Sequence, residues 1–184
     1  MLDRKSLSQC GARVLVAAAL ALTAWLANAS SARAETAIAG DLEVLVPLDL
    51  DDVSTAPAFG IRLGQQLHLP LITLTPELGF QYAPFGDGPT IYRGIAGARV
   101  GIGEVLRFGV NAHIGFGHLS WELAGQDASN TGLTLDAGIF LDLTILPLID
   151  IGVHMGYGRL AGDEEEGLEP VQWLAFGVHA ALII

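Results

Sequence analysis

Between Leu106 and Gly117 the chain changes character at every residue. Leu106, Phe108, Val110, Ala112, Ile114 and Phe116 are apolar, while Arg107, Gly109, Asn111, His113, Gly115 and Gly117 are charged, polar or small. Successive side chains of a strand point to opposite faces, so this pattern describes a β-strand with one greasy face and one polar face. The alternation recurs over residues 41–48, 59–69, 72–82, 92–102, 133–143, 149–158 and 173–184. Eight strands result, each close to the ~9–11 residues that a tilted membrane strand requires.

Which face lies inside decides the class. In a soluble barrel or sandwich the apolar face is the core; in an outer-membrane barrel it meets lipid and the charges fill the lumen. Three features select the second. Connections at residues 69–71, 103–104 and 146–147 are short, whereas those at 85–89, 120–130 and 161–169 are longer, as periplasmic turns and extracellular loops would be. Tyr82, Tyr92 and Tyr157 lie on the apolar face at the long-loop end, where an interfacial aromatic girdle belongs. Ionisable residues well inside a strand fall on the face opposite the greasy one. Arg159, of outward parity, lies beyond Tyr157, where it can snorkel to headgroups. A soluble periplasmic ligand-binding barrel is the main rival. Gln65 is polar at an outward position, and Pro76 sits mid-strand on the lipid face. A closed barrel has no free edge to host a proline, so a bulge is expected there.

The N-terminus reads as an export signal. Arg4, Lys5 and Arg13 precede an apolar stretch from Val14 to Ala27, and Ala32-Arg33-Ala34 places small residues where a signal peptidase reads them. That stretch is short for the ~20 residues of a membrane-spanning helix. The expected organisation is a signal peptide over residues 1–34, with Ala27-Asn28-Ala29 as an alternative site, and one barrel domain over 35–184. Cys10 leaves with the signal, so no disulfide framework is available. Cleavage leaves five arginines against nineteen acidic residues in a chain that is 51% hydrophobic overall. Such a balance excludes nucleic acid as a partner, because phosphate needs clustered Lys and Arg.

By this pattern, rather than by any single motif, residues 35–184 resemble the small eight-stranded outer-membrane barrels of the OmpA/OmpX-like superfamily. The resemblance implies an all-β, antiparallel, up-and-down transmembrane barrel in the cell outer membrane of a Gram-negative envelope, without a C-terminal peptidoglycan-binding domain. Its partners would be the lipid bilayer, lipopolysaccharide and, during insertion, the outer-membrane assembly machinery; its state would be monomeric. Those barrels usually end in an aromatic residue, where this chain has Ile184.

Asp41, Glu43, Glu77, Asp136, Asp142 and Asp150 have inward parity, as do Arg62, Arg93, Arg99 and Arg107. The interior of an eight-stranded barrel is just wide enough for its side chains, and buried charge must be paired or wet. These ten residues are therefore expected to form an ion-pair network that fills the lumen. Inward glycines leave room for water and keep a narrow ion path as the alternative, far from a porin's ~16 strands. His154 and His179 face inward at similar heights on neighbouring strands, with His68 and His113 elsewhere. No ligand spacing recurs, so they are read as hydrogen-bonded lumen residues, with neither metal nor cofactor expected.

Asp51, Asp52, Asp87, Glu122, Asp127, the run Asp163-Glu164-Glu165-Glu166 and Glu169 fall on the long-loop side. They read as a solvated surface, with divalent-cation bridging to lipopolysaccharide as the functional alternative. His118 and Ser120, two apart on the lipid face with Glu122 nearby, are similar to the motif of outer-membrane lipid A deacylases, in which His is the base and Ser the nucleophile. In that family Asn follows; here it is Trp121, and Asp136 and Asp142 on the next strand have inward parity. The expectation is therefore a structural or surface-interaction protein without catalytic residues.

Overall fold

The computed structural model describes residues 34–48, 54–85, 89–123, 126–161 and 170–184, with only the backbone described for residues 121–123, 126–128 and 130. Eight strands follow one another: β1 (Ala34–Pro47), β2 (Ala56–His68), β3 (Thr73–Pro84), β4 (Thr90–Ile102), β5 (Leu106–Leu123), β6 (Gln126–Leu146), β7 (Ile149–Leu160) and β8 (Val171–Ile183). Each pairs with the next, and β1 pairs antiparallel with β8 from Ala37↔Ile183 to Pro47↔Trp173, which closes the barrel. Beyond that register Ile184 and Thr36 exchange two further backbone hydrogen bonds of 2.7 and 2.8 Å. Apart from Ala34, which opens β1, the expected signal peptide lies outside the described residues.

The period-two pattern sorts side chains as a membrane barrel requires. Leu42, Ile61, Phe108 and Val178 point outward and are at least half exposed, whereas Asp41, Arg62, Glu77, Arg99 and Asp142 are buried inside. A water-soluble protein places these residue types the other way round. Six strands contain 12–14 residues, about 40 Å of chain at ~3.3 Å per residue. At the usual tilt of ~35–45° they stand about 30 Å tall, enough for the ~25 Å apolar band and its interfaces.

Two expectations need correction. Residues 120–123 and 126–130 are paired strand, not part of a long loop. β5 and β6 run through them in register, Ser120↔Ser129 and Leu123↔Gln126. The partners stop earlier, β4 at Thr90↔Ser120 and β7 at Thr134↔Leu160, so the two strands continue past the barrel wall as a ribbon. Nor does Pro76 create a bulge. Its register with β4 is continuous through Pro76↔Ala98. On the β2 side the same register holds at Gly64↔Glu77 and Leu67↔Leu74, with no pairing between them. The Pro76 carbonyl lies beside Gly64, so the missing N–H also falls toward β2. A local gap in one ladder absorbs it without an extra residue. The register shift occurs instead between Thr144 and Leu146, on the periplasmic side of β6.

The β4–β5 turn depends on one residue. Gly103 has φ +113°, and a Cβ placed there would lie 2.0 Å from the Leu106 carbonyl oxygen. Gly103→Ala is therefore expected to destabilise the barrel by roughly 1–2 kcal/mol or more, since only glycine adopts that backbone without strain. Urea unfolding in detergent micelles would measure it, and an unchanged midpoint would show that the turn relaxes at no cost.

Candidate functional site

The ten charged residues assigned to the lumen by parity face one another there, joined through hydrogen bonds and one longer ion pair with three histidines and two glutamines. Arg62, on β2, is its anchor. Its Nε and Nη2 donate to the two Asp41 oxygens of β1 at 2.8 and 2.7 Å. Its Nη1 donates to both Glu77 oxygens of β3 at 2.8 and 2.9 Å. Glu77 in turn meets His113 Nε2 at 2.7 Å, and His113 Nδ1 meets Asp136 at 2.6 Å. Asp136 accepts from Arg93 at 2.9 Å, Arg93 donates to Gln81 at 2.6 Å, and Gln81 donates to Glu43 at 2.7 Å. The run continues through Glu43 to His154 and from His154 to His179. His179 reaches Asp142, which Arg99 also holds at 3.1 Å. Arg107 lies 3.9 Å from Asp142 and 3.2 Å from Asp150, and Asp150 accepts from Gln66 and Thr144. Every strand contributes at least one member, so the network ties the barrel wall together through its centre.

The lumen is not polar throughout. At the outer end Leu45, Ala58, Ala83, Phe85, Ile91, Leu119, Leu160, Val171 and Trp173 converge into a buried apolar cluster. Leu45, Ile91, Leu160 and Trp173 are almost wholly inaccessible. The Arg93 guanidinium sits 5.2 Å from the Trp173 ring, so this cap rests directly on the charged layer. Nearer the periplasmic side Arg99 stacks over Phe140 at 3.8 Å. The sequence carried the signal for the cap. Near the outer ends the inward-parity positions change from charged to apolar, as from Arg93 to Ile91 and from Glu43 to Leu45. Beneath the cap, cavities of about 60 and 20 Å³ border the network, room for a few water molecules.

Tyr92 and Tyr157 are outward and exposed. Tyr82 pairs across strands with Tyr92, ring centroids 5.1 Å apart, and the Tyr157 hydroxyl donates to Gln172. His118 is also outward, but its described hydrogen bond is to Thr131 Oγ1 at 2.8 Å across the β5–β6 pair, while Asp136 and Asp142 are engaged inside. The Glu122 and Asp127 side chains lie outside the described residues, as do Asp51, Asp52, Asp87, the 163–166 run and Glu169.

No protein-family model matches this chain, and no curated protein matches it in sequence. Solved structures do. Neisserial surface protein A is similar with a TM-score of 0.59 at 11% identity, over 81% of this chain and 96% of that one. Ail, the attachment invasion locus protein of Yersinia pestis, gives 0.56 at 12% identity over 82% and 97%. The N-terminal barrel domain of Pseudomonas aeruginosa OprF gives 0.56 at 13% over 83% and 100%. The outer-membrane enzyme PagL gives 0.52 at 13% over 80% and 99%. At these identities the likeness is one of fold, and the fold is that of the small eight-stranded outer-membrane barrels, OmpA/OmpX-like in form. With its apolar exterior and charged interior, the chain has the fold and surface of a membrane-spanning barrel.

Proposed function

We propose that this chain is exported, cleaved after Ala34 and inserted as a monomeric, non-enzymatic barrel that serves as a sealed scaffold. Its lumen carries no ion traffic, and its outer connections and the β5–β6 ribbon face lipopolysaccharide and other surface partners. The observation that carries this reading is the double closure of the lumen, a charge network overlaid by the Trp173 cap. A hydrated ion would have to separate several buried pairs at once, and leaving one such charge uncompensated costs several kcal/mol.

Planar-bilayer recording with the purified protein in molar KCl tests it. The expected trace stays at the bare-bilayer background at either polarity. Reproducible single-channel steps, absent from a detergent blank and scaling with protein added, would replace the sealed scaffold by a narrow pore.

A further inference from the structure

His154 and His179 meet inside the barrel in an arrangement that calls for a cation between them. Each projects opposite a glycine of the partner strand, His154 across from Gly177 and His179 across from Gly152. That space lets the rings approach diagonally, Nδ1 to Nδ1 at 3.2 Å. The far nitrogen of each ring faces a carboxylate: His154 Nε2 lies 3.1 Å from Glu43 Oε1, and His179 Nε2 lies 2.9 Å from Asp142 Oδ1. An ionised carboxylate only accepts, so both Nε2 atoms carry hydrogen. The nearby Arg99 nitrogens, 3.4 Å from His179 Nε2, find their closer partner in Asp142 at 3.1 Å. A neutral imidazole with hydrogen at Nε2 has only a lone pair at Nδ1. With both rings neutral, two lone pairs would then oppose each other at hydrogen-bond distance, so either a proton or a metal ion lies between them.

We propose that His154 Nδ1, His179 Nδ1 and a carboxylate oxygen of Asp41 together hold one divalent transition-metal ion, with zinc the species of best fit. These three residues present ligand atoms within 4.8 Å of one another. Two nitrogens on one tetrahedral zinc, each at ~2.0–2.1 Å, stand about 3.3 Å apart, and the pair here stands at 3.2 Å. Histidines that bind metal almost always donate their other N–H to a carboxylate or carbonyl, which fixes the tautomer and raises ligand basicity; Glu43 and Asp142 fill that role. Arg62 fixes Asp41 through both oxygens, and each oxygen keeps a further lone pair for a ligand bond. The cavity of about 60 Å³ bordered by Asp41, Glu43 and His154 leaves space for water as a fourth ligand.

Charge points the same way. The network sets six carboxylates against four guanidinium groups. His113, with acceptors at both nitrogens, offsets one negative charge as an imidazolium. One negative charge is left, at Glu43 beside the His154–His179 pair, and a divalent ion there, or a zinc that carries hydroxide as its fourth ligand, offsets it.

The test uses untagged protein from membranes, stripped of metal in urea and chelator. It is refolded into detergent micelles with zinc and then freed of loose ion on chelating resin. Elemental analysis is expected to find a single zinc per chain, and cobalt in its place is expected to give the strong visible absorption of a tetrahedral site. His154→Gln and His179→Gln are expected to weaken retention by roughly tenfold or more, while His68→Gln, at the periplasmic rim, retains it. Unboiled gel mobility verifies that each variant is a closed barrel. Folded wild-type protein that holds no zinc, or holds cobalt only with weak octahedral absorption, overturns the site. Equal retention by the two glutamine variants does so as well. Should a variant fail to close, the wild-type cobalt spectrum still decides.

Discussion

Arg62→Ala is expected to lower the unfolding free energy of the barrel by about 3–5 kcal/mol, the cost of stranding buried charges by removing their partner. No other lumen arginine is engaged so fully. Arg62 donates to both oxygens of Asp41 and both of Glu77, and the three side chains are almost fully sealed from solvent. Truncation leaves two carboxylates facing each other with little water to replace the guanidinium. A triple variant, Arg62→Met with Asp41→Asn and Glu77→Gln, is expected to recover most of the loss. It removes the charges together and keeps groups able to hydrogen-bond. Urea unfolding in phospholipid vesicles, followed by tryptophan emission and by the heat shift of the unboiled band, measures both. A loss under ~1 kcal/mol, the size of a surface ion pair, would mean that lumen water solvates these carboxylates and that the network is not the barrel's central tie.

The ease with which this fold can be read follows from its physics. A membrane barrel writes its inside and outside at alternating positions along every strand, so the parity of Arg62, Arg99 or Asp142 already assigned each to the lumen. Parity fixes a direction but not a height or a neighbour. Counting from the strand ends set His154 and His179 at similar heights on neighbouring strands, but only the β7–β8 register shows that their rings meet, Nδ1 to Nδ1. The Trp173 cap escaped for a related reason. Leu45, Ile91 and Leu160 each break the polar run of a different strand, and only closure of the barrel shows that they share one level. Pro76 misled because a proline in a strand was equated with an extra residue, whereas here one ladder simply lacks pairings. The 120–130 segment misled because Ser, Asn, Gly and Asp suggest a loop. Continued pairing between two neighbours carries β5 and β6 through it.

Trp173→Ala separates the two layers of the seal. The ring is about 1% exposed, packed among Leu45, Ile91 and Leu160. Gly158 lies so close across the β7–β8 pair that a Cβ there would come within 2.4 Å of the indole. Removing a buried aromatic of this size is expected to cost about 3–5 kcal/mol, including the contact with the Arg93 guanidinium, worth ~0.5–2 kcal/mol. Leakage is expected to behave differently. The cap is only the upper layer, and below it Arg93 remains held by Gln81 and Asp136, with Arg62, Asp41 and Glu77 deeper still. The variant should therefore unfold at much lower urea yet stay silent in planar bilayers. Adding Arg93→Ala should lower stability further yet still leave the bilayer silent, because Arg62 with Asp41 and Glu77 closes the lumen below it. If Trp173→Ala alone conducts, the cap is the seal and the charge network beneath it is wet enough to pass ions. A loss of stability under ~1 kcal/mol would instead show that neighbouring side chains collapse into the vacated space. Taken together, the two readouts locate the seal, because stability responds to every buried layer while conductance responds to the last one that closes.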